Sequence, residues 1–266
     1  PYIPYTTPGE SVFRIGDRLA LRCRADAYDT VFGDARPEQG LALVDLAAAE
    51  WTATVGLGYE NVVSLHGGDS HIYVSSKEWA GEDEEERSMS AYFVSRFDPA
   101  AVTMDARANV PGEFLAFDPA AGVLLLEDFQ YGDAWHVVRE VNSVAWDGVS
   151  ETVTPLDTWA VPETTGTLEA AGRRVFYSTY DDDGYYVALR PVDEDGGFAG
   201  TKTVRVTEDW ARLFEINGLD AYVVFGGSAL ARYDFSGDTP VFDGLFALGG
   251  APAGLRWYDL EVINDA

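Results

Sequence analysis

Cysteine, methionine and lysine are nearly absent from this 266-residue chain, which has one Cys, two Met and, as its only lysines, Lys77 and Lys202. A single cysteine, Cys23, excludes an internal disulfide. Among alternating apolar neighbours it reads as a buried, inert thiol. Basic residues number 18 against 45 acidic ones, for a formal charge of −27. Nucleic-acid affinity comes largely from Lys and Arg on phosphates, so this field opposes it. Anionic membrane surfaces repel such a chain as well. No apolar run is long enough to span a bilayer, so direct membrane insertion is not expected. No signal-peptide pattern is present, and the chain starts at Pro1, which fits a processed or truncated chain whose export signal has gone. Helical periodicity is scarce: the one helix-like stretch, Leu43 to Thr52, is Ala-rich only in its middle.

What is present is a folded composition, 47% hydrophobic and 13% aromatic, with 27 Gly and 12 Pro spread along the chain as turns require. Short strand-like runs recur. Val12–Ile15, Val62–Leu65, Phe114–Phe117, Thr167–Ala170 and Leu213–Ile216 start 50, 52, 53 and 46 residues apart. Each is followed by a turn rich in Gly, Asp, Asn or Pro and then by a second apolar run: Leu19 to Cys23, Ile72 to Ser75, Val123 to Leu126, Val175 to Ser178, Tyr222 to Phe225. Turn chemistry of this kind joins hairpins. Third strands are expected at Gly40 to Leu46, Ala91 to Phe97, Trp135 to Val141, Tyr186 to Val192 and Ala229 to Phe235. Weaker fourth strands are expected at Trp51 to Val55, Val102 to Ala106, Glu151 to Pro155, Lys202 to Val206 and Val241 to Phe246.

Four strands repeating at this period resemble the blades of a β-propeller. The likeness is to the propeller class, of the bacterial secreted or cell-surface type, and covers nearly the whole chain. The Trp-Asp ending of WD40 repeats, the di-glycine of kelch repeats and the Asp-box of sialidases are missing, so no family within the class is assigned. The resemblance implies an all-β fold of four-stranded antiparallel blades in one domain, residues 1–266. About five blades are visible, at roughly 11–56, 60–107, 112–160, 164–208 and 211–249. Residues 254–266, with Leu260–Ile263 as a further first strand, either close the ring or begin an extra blade of a six- to eight-bladed one.

The acidic residues concentrate between second and third strands, which predicts long loops on one negatively charged face. The main run is Glu82, Asp83, Glu84, Glu85 and Glu86, with Glu78 before it; Glu127, Asp128 and Asp133 follow in the next blade. Trp79, Phe129 and Tyr131 are expected in the same loops as exposed anchors. A rigid scaffold carrying long loops is a common place for binding, although acidic residues also favour solvated loops for no functional reason.

Three sets could carry chemistry. Asp181, Asp182 and Asp183, with Asp193 and Asp195, offer oxygens to a hard cation such as Ca²⁺, but no EF-hand spacing is completed and plain turns are the alternative. His66 and His71 flank the turn Gly67 to Ser70, with Asp69 between them, and this set could hold a transition metal, lacking a clear further ligand; His136 reads as structural. Arg14, Glu169 and Glu215 share the third position of innermost strands, which could bring them to a central channel as an ion cluster or a ligand site. No nucleophile elbow, phosphate loop, dinucleotide fingerprint or zinc helix occurs.

The expectation is therefore a non-catalytic binding or assembly module, extracellular, periplasmic or at the cell surface, that meets a protein partner or larger assembly through an acidic loop face. The alternative is a propeller hydrolase or lyase using a divalent metal at the channel.

Overall fold

The computed structural model describes residues 12–24, 39–57, 62–82, 88–105, 107–131, 137–207, 211–225 and 229–247. Expectations for Asp83, Glu84, Glu85, Glu86, Asp133, His136 and the segment 254–266 lie outside those residues. The chain divides into two compact units. One holds Pro1–Phe114, Leu126–Asp128 and Ala145–Pro155; the other holds Leu115–Leu125, Phe129–Val144 and Leu156–Ala266.

Strands pair with their chain neighbours. β1 (Val12–Ile15), β2 (Arg18–Arg24), β3 (Gln39–Asp45) and β4 (Glu50–Gly56) form the first sheet. β5 (Val62–Gly67), β6 (Ile72–Glu82) and β7 (Ser88–Asp98) build the second, whose outer place is shared by β8 (Thr103–Met104) and β9 (Ala108–Val110), both on β7. The third sheet is β10 (Glu113–Asp118), β11 (Val123–Tyr131), β12 (Val137–Ala145) and β13 (Thr154–Ala160). The fourth is β14 (Leu168–Ala171), β15 (Arg174–Asp181), β16 (Gly184–Pro191) and β17 (Lys202–Thr207). The fifth is β18 (Ala211–Asn217), β19 (Asp220–Phe225), β20 (Ala229–Asp234) and β21 (Val241–Ala247). These are the five antiparallel blades of a β-propeller.

Burial follows position in the blade. In the second, third and fourth blades the second strand is covered on both faces: Ile72 to Ser76, Val123 to Leu126 and Val175 to Ser178 are all buried in succession. That is why these strands are continuous apolar runs and not alternating ones. Outer strands are largely solvated, as in β13, where only Trp159 is buried. Cores form between neighbouring blades. In the first unit Phe13, Leu41 and Leu43 pack with Leu65, Val74 and Phe97. In the second, Val123, Leu125 and Val141 pack with Val175 and Tyr177, and Phe176, Val187 and Leu189 pack with Leu213, Val223 and Phe235. Each fully buried Leu or Phe of this kind stabilises by roughly 1.5–3 kcal/mol.

Two fourth strands depart from expectation. In the third blade, residues 147–153 are not strand. Asp147 Oδ1 accepts the N–H groups of Val149 (2.9 Å) and Ser150 (2.7 Å), and Trp146 Nε1 donates to the Ser150 carbonyl (3.0 Å), so a local turn delays β13 to Thr154. In the second blade the expected run Val102–Ala106 is split, and most of the outer pairing comes from β9. The Ala-rich stretch from Leu43 is a hairpin, β3–turn–β4, and not a helix.

One turn recurs. Asp45, Asp98 and Asp118 each end a strand and accept two backbone N–H groups at Oδ1: from Ala47 and Ala48 (2.9 and 2.9 Å), from Ala100 and Ala101 (2.7 and 3.0 Å), and from Ala120 and Ala121 (3.0 and 3.3 Å). These are Asx-type closures. The Ala101 N–H is the main cause holding the Asp98 carboxyl below the usual range. Four residues after each Asp the chain is left-handed: Ala49 at φ 53°, Val102 at 55° and Gly122 at 67°. A β-branched residue is strained there, whereas glycine is not. Val102→Gly should therefore raise stability by about 1 kcal/mol, and Gly122→Val should lower it by at least as much, read from urea midpoints at constant slope.

Candidate functional site

The acidic loop expected in the second blade is partly strand. β6 and β7 are eleven residues each, and their ladder continues past the core, with Glu78 opposite Ala91, Trp79 opposite Ser90, Gly81 opposite Met89 and Glu82 opposite Ser88. Trp79 and Glu82 thus sit on a β arm, not in a loop. Hydrogen bonds between the two strands satisfy the backbone whatever the side chains, so charge did not end the strand. The register shift between Trp79 and Gly81, with Gly81 at φ 107°, marks a bulge, which twists such an arm.

The arm's two faces differ. On one, Glu78 forms a two-pronged ion pair with Arg107, and the Arg107 guanidinium lies 4.0 Å above the Phe93 ring. The Arg107 hydrogen bonds hold the Glu78 carboxyl below its ordinary range. On the other face Trp79 is 71% exposed, flanked in the ladder by Lys77 and Tyr92. Met89 is 43% exposed farther out. Asp128, Phe129 and Tyr131 likewise fall on a strand, β11, where loop was expected. Asp128 is half-buried, and Phe129 is exposed with the Arg139 guanidinium 5.6 Å from its ring centre.

The aspartates proposed for a cation do not converge. Asp181, Asp182 and Asp183 make the β15–β16 turn, whereas Asp193 and Asp195 follow the far end of β16. Eight strand residues separate the two groups by roughly 25 Å at the usual rise. Each is closed locally: Asp181 Oδ1 accepts the N–H groups of Asp183 (2.8 Å) and Gly184 (3.2 Å), and Asp193 Oδ1 those of Asp195 (3.0 Å) and Gly197 (2.8 Å). Among the described residues no three His, Cys, Asp or Glu side chains are grouped to hold a metal.

The two histidines have separate partners. His66 Nε2 lies 2.9 Å from Ser64 Oγ, and its ring packs on Phe114 with centres 4.5 Å apart. His71 Nδ1 lies 2.7 Å from Ser70 Oγ. Of the expected channel set, Arg14 belongs to the first unit, where it is exposed and its Nε is 3.5 Å from the Gly16 carbonyl. Glu169 and Glu215 belong to the second unit, both half-buried, opposite Phe176 and Tyr222. Counted from the hairpin turn, Glu169 and Glu215 hold equivalent places, each opposite the third residue of the second strand, whereas Arg14 is opposite the second, Leu19, and so falls on the other face.

A cleft that sequence reasoning missed lies wholly in the second unit. Its volume is ≈ 540 Å³, and Arg139 on β12 lines it together with residues preceding β14 and residues at the β15–β16 hairpin. A second cavity of ≈ 500 Å³ shares Arg139 and is lined also by Phe129 and Glu163. Arg139 Nη1 donates to the Gly166 carbonyl (2.9 Å), and the Gly166 N–H donates to the Ser178 carbonyl (2.9 Å). A Cβ on Gly166 would come within 3.0 Å of Ser178 Oγ, so glycine permits this close approach to β15. The string Thr164-Thr165-Gly166-Thr167 was the available signal.

No protein-family model matches the chain, and no curated protein is found similar to it. Solved structures are similar in strand arrangement. The WD40 domain of Toxoplasma gondii coronin is 10% identical, with 89% of this chain and 70% of that one covered at a TM-score of 0.45. KlAtg21, solved with the coiled coil of AgAtg16, is 7% identical over 87% and 82%, at 0.41. A prolyl endopeptidase is 15% identical over 90% of this chain but 34% of its own, at 0.47. Likeness at this level assigns no activity.

Burial pushes the His66 imidazole down to about 4 from 6.5. The unfolded chain therefore takes a proton at this side chain below about 6.5, which the folded chain does not accept until about 4. Stability should fall as pH drops through that window, with a slope approaching one proton. Glu113, raised chiefly by burial, acts in the opposite sense above its ordinary range. The His66 share is thus the difference between wild type and His66→Phe in denaturation midpoints at pH 7 and pH 4.5. Wild type should lose stability relative to His66→Phe on going to the lower pH.

Proposed function

We propose that this protein is a non-catalytic binding or assembly module that holds a basic protein partner on the β6–β7 arm. The observation that carries the reading is Trp79, 71% exposed on a strand that extends beyond the packed core. An exposed tryptophan on a hydrogen-bonded arm presents a large apolar surface at little cost in ordering, and such residues anchor interfaces. Charge complementarity sets the partner's sign. The arm leads into the sequence run Glu82–Glu86 within a chain of net charge −27, so a cationic surface is attracted and an anionic one repelled. The reading extends to a location outside the cytoplasm, supported by the scarcity of cysteine and lysine.

The test is a pull-down with the intact chain, followed by purification of the captured protein and affinity measurement by interferometry. A basic partner is expected whose affinity falls at least tenfold with Trp79→Ala. The association rate should also drop when Glu82–Glu86 become Gln, and drop steeply with added salt. Binding unchanged by both substitutions, in variants that melt like wild type, overturns the reading.

A further inference from the structure

We infer that the cleft between β12, the segment before β14 and the β15–β16 hairpin is a binding site for an acidic saccharide, a uronate-bearing sugar of one or two rings. Charge is the first argument. The chain carries 45 acidic residues, yet the residues lining this cleft include no carboxylate, and Arg139 is their single charged group. Within the cleft an anionic group meets a guanidinium, while Glu163 of the adjoining cavity and the Asp181–Asp183 turn are its acidic surroundings. A guanidinium matches a carboxylate by two parallel N–H···O bonds. Its position is held by the Gly166 carbonyl, so the ligand does not have to order it.

The second argument is the wall. Thr164, Thr167, Ser178 and Thr179 contribute hydroxyl groups to the lining. Thr164 Oγ1 and Thr179 Oγ1 are 2.7 Å apart, and Ser178 Oγ accepts the Thr167 N–H at 3.0 Å. Each hydroxyl both donates and accepts, as the hydroxyls of a sugar do, and these are fixed by one another and by backbone. A divalent phosphate would find one cation here, whereas a singly charged carboxylate with several hydroxyls finds a partner for each kind of group.

The third argument is the rim. Tyr180 and Tyr185 are opposite one another at the end of the hairpin, with ring centres 5.7 Å apart and planes tilted by 37°. Tyr180 is 52% exposed. Aromatic faces with a polar tip suit the C–H face of a pyranose, with the phenol reaching its hydroxyls. The ≈ 540 Å³ volume falls in the range of small-molecule sites and leaves room for one or two rings.

The experiment is calorimetric titration of the full chain with digalacturonate, its neutral counterpart digalactose, and acetate. Digalacturonate should bind at least about tenfold more tightly than digalactose, and the preference should shrink with salt. Arg139→Ala should abolish the preference, and Tyr180→Ala should weaken both sugars while leaving the preference intact. Tyr180 is exposed, so that variant reads the site even where Arg139→Ala disturbs the Gly166 contact. No binding of digalacturonate, equal binding of the two sugars, or displacement of digalacturonate by acetate at similar concentration would each overturn the assignment. The last of these would mean that the cleft recognises a bare carboxylate, as at a peptide end, and not a sugar.

Discussion

Second strands buried on both faces are the constraint from which the rest follows. A sheet whose inner residues read Val123-Leu-Leu-Leu126 or Ile72-Tyr-Val-Ser-Ser76 cannot present either face to water, so it must lie between neighbours. The clusters joining Phe13 to Phe97, Val123 to Tyr177 and Phe176 to Phe235 are the result. Outer strands escape this demand and can carry charge, and hairpin ends beyond the core can carry a solvated tryptophan.

Under such a constraint the few basic residues act as ties. Arg18 Nη1 donates to the Pro99 carbonyl (2.9 Å), fastening the first blade to a turn of the second. Arg173 binds Asp118 at 2.8 Å and Arg139 reaches Gly166, joining third and fourth blades; Lys202 Nζ donates to Gly237 (2.7 Å), joining fourth and fifth. Many aspartates serve turns by accepting backbone N–H groups. The acidity is therefore not a single charged face alone: part of it is the chemistry of strand ends.

The blades were legible because period, turn residues and apolar runs agree, as at Leu213–Ile216 before Asn217-Gly218. Strand ends were less legible. Lys77–Glu82 reads as polar loop, yet the ladder runs through it because pairing depends on the facing backbone and not on hydropathy. Residues 151–153 read as strand, yet the Asp147 turn occupies the chain just before them. The third-position equivalence held for Glu169 and Glu215 and failed for Arg14, because the first hairpin turns one residue sooner after its apolar run. The cleft around Arg139 was missed because its parts come from three segments that only the blade stacking assembles; the threonine string was its one local trace.

The Asp-x-Ala-Ala turn has a consequence for how the chain acquires its structure. It closes within five residues, and it serves a third-to-fourth strand junction at Asp45 and Asp98 but a first-to-second junction at Asp118. Its formation needs no contact from any other blade. Hairpins closed this way can form on the microsecond scale, ahead of the slower docking of sheet on sheet. Chain reversal is thereby decided locally and early, and what remains for the late stage is the choice of neighbour, which the apolar second strands make.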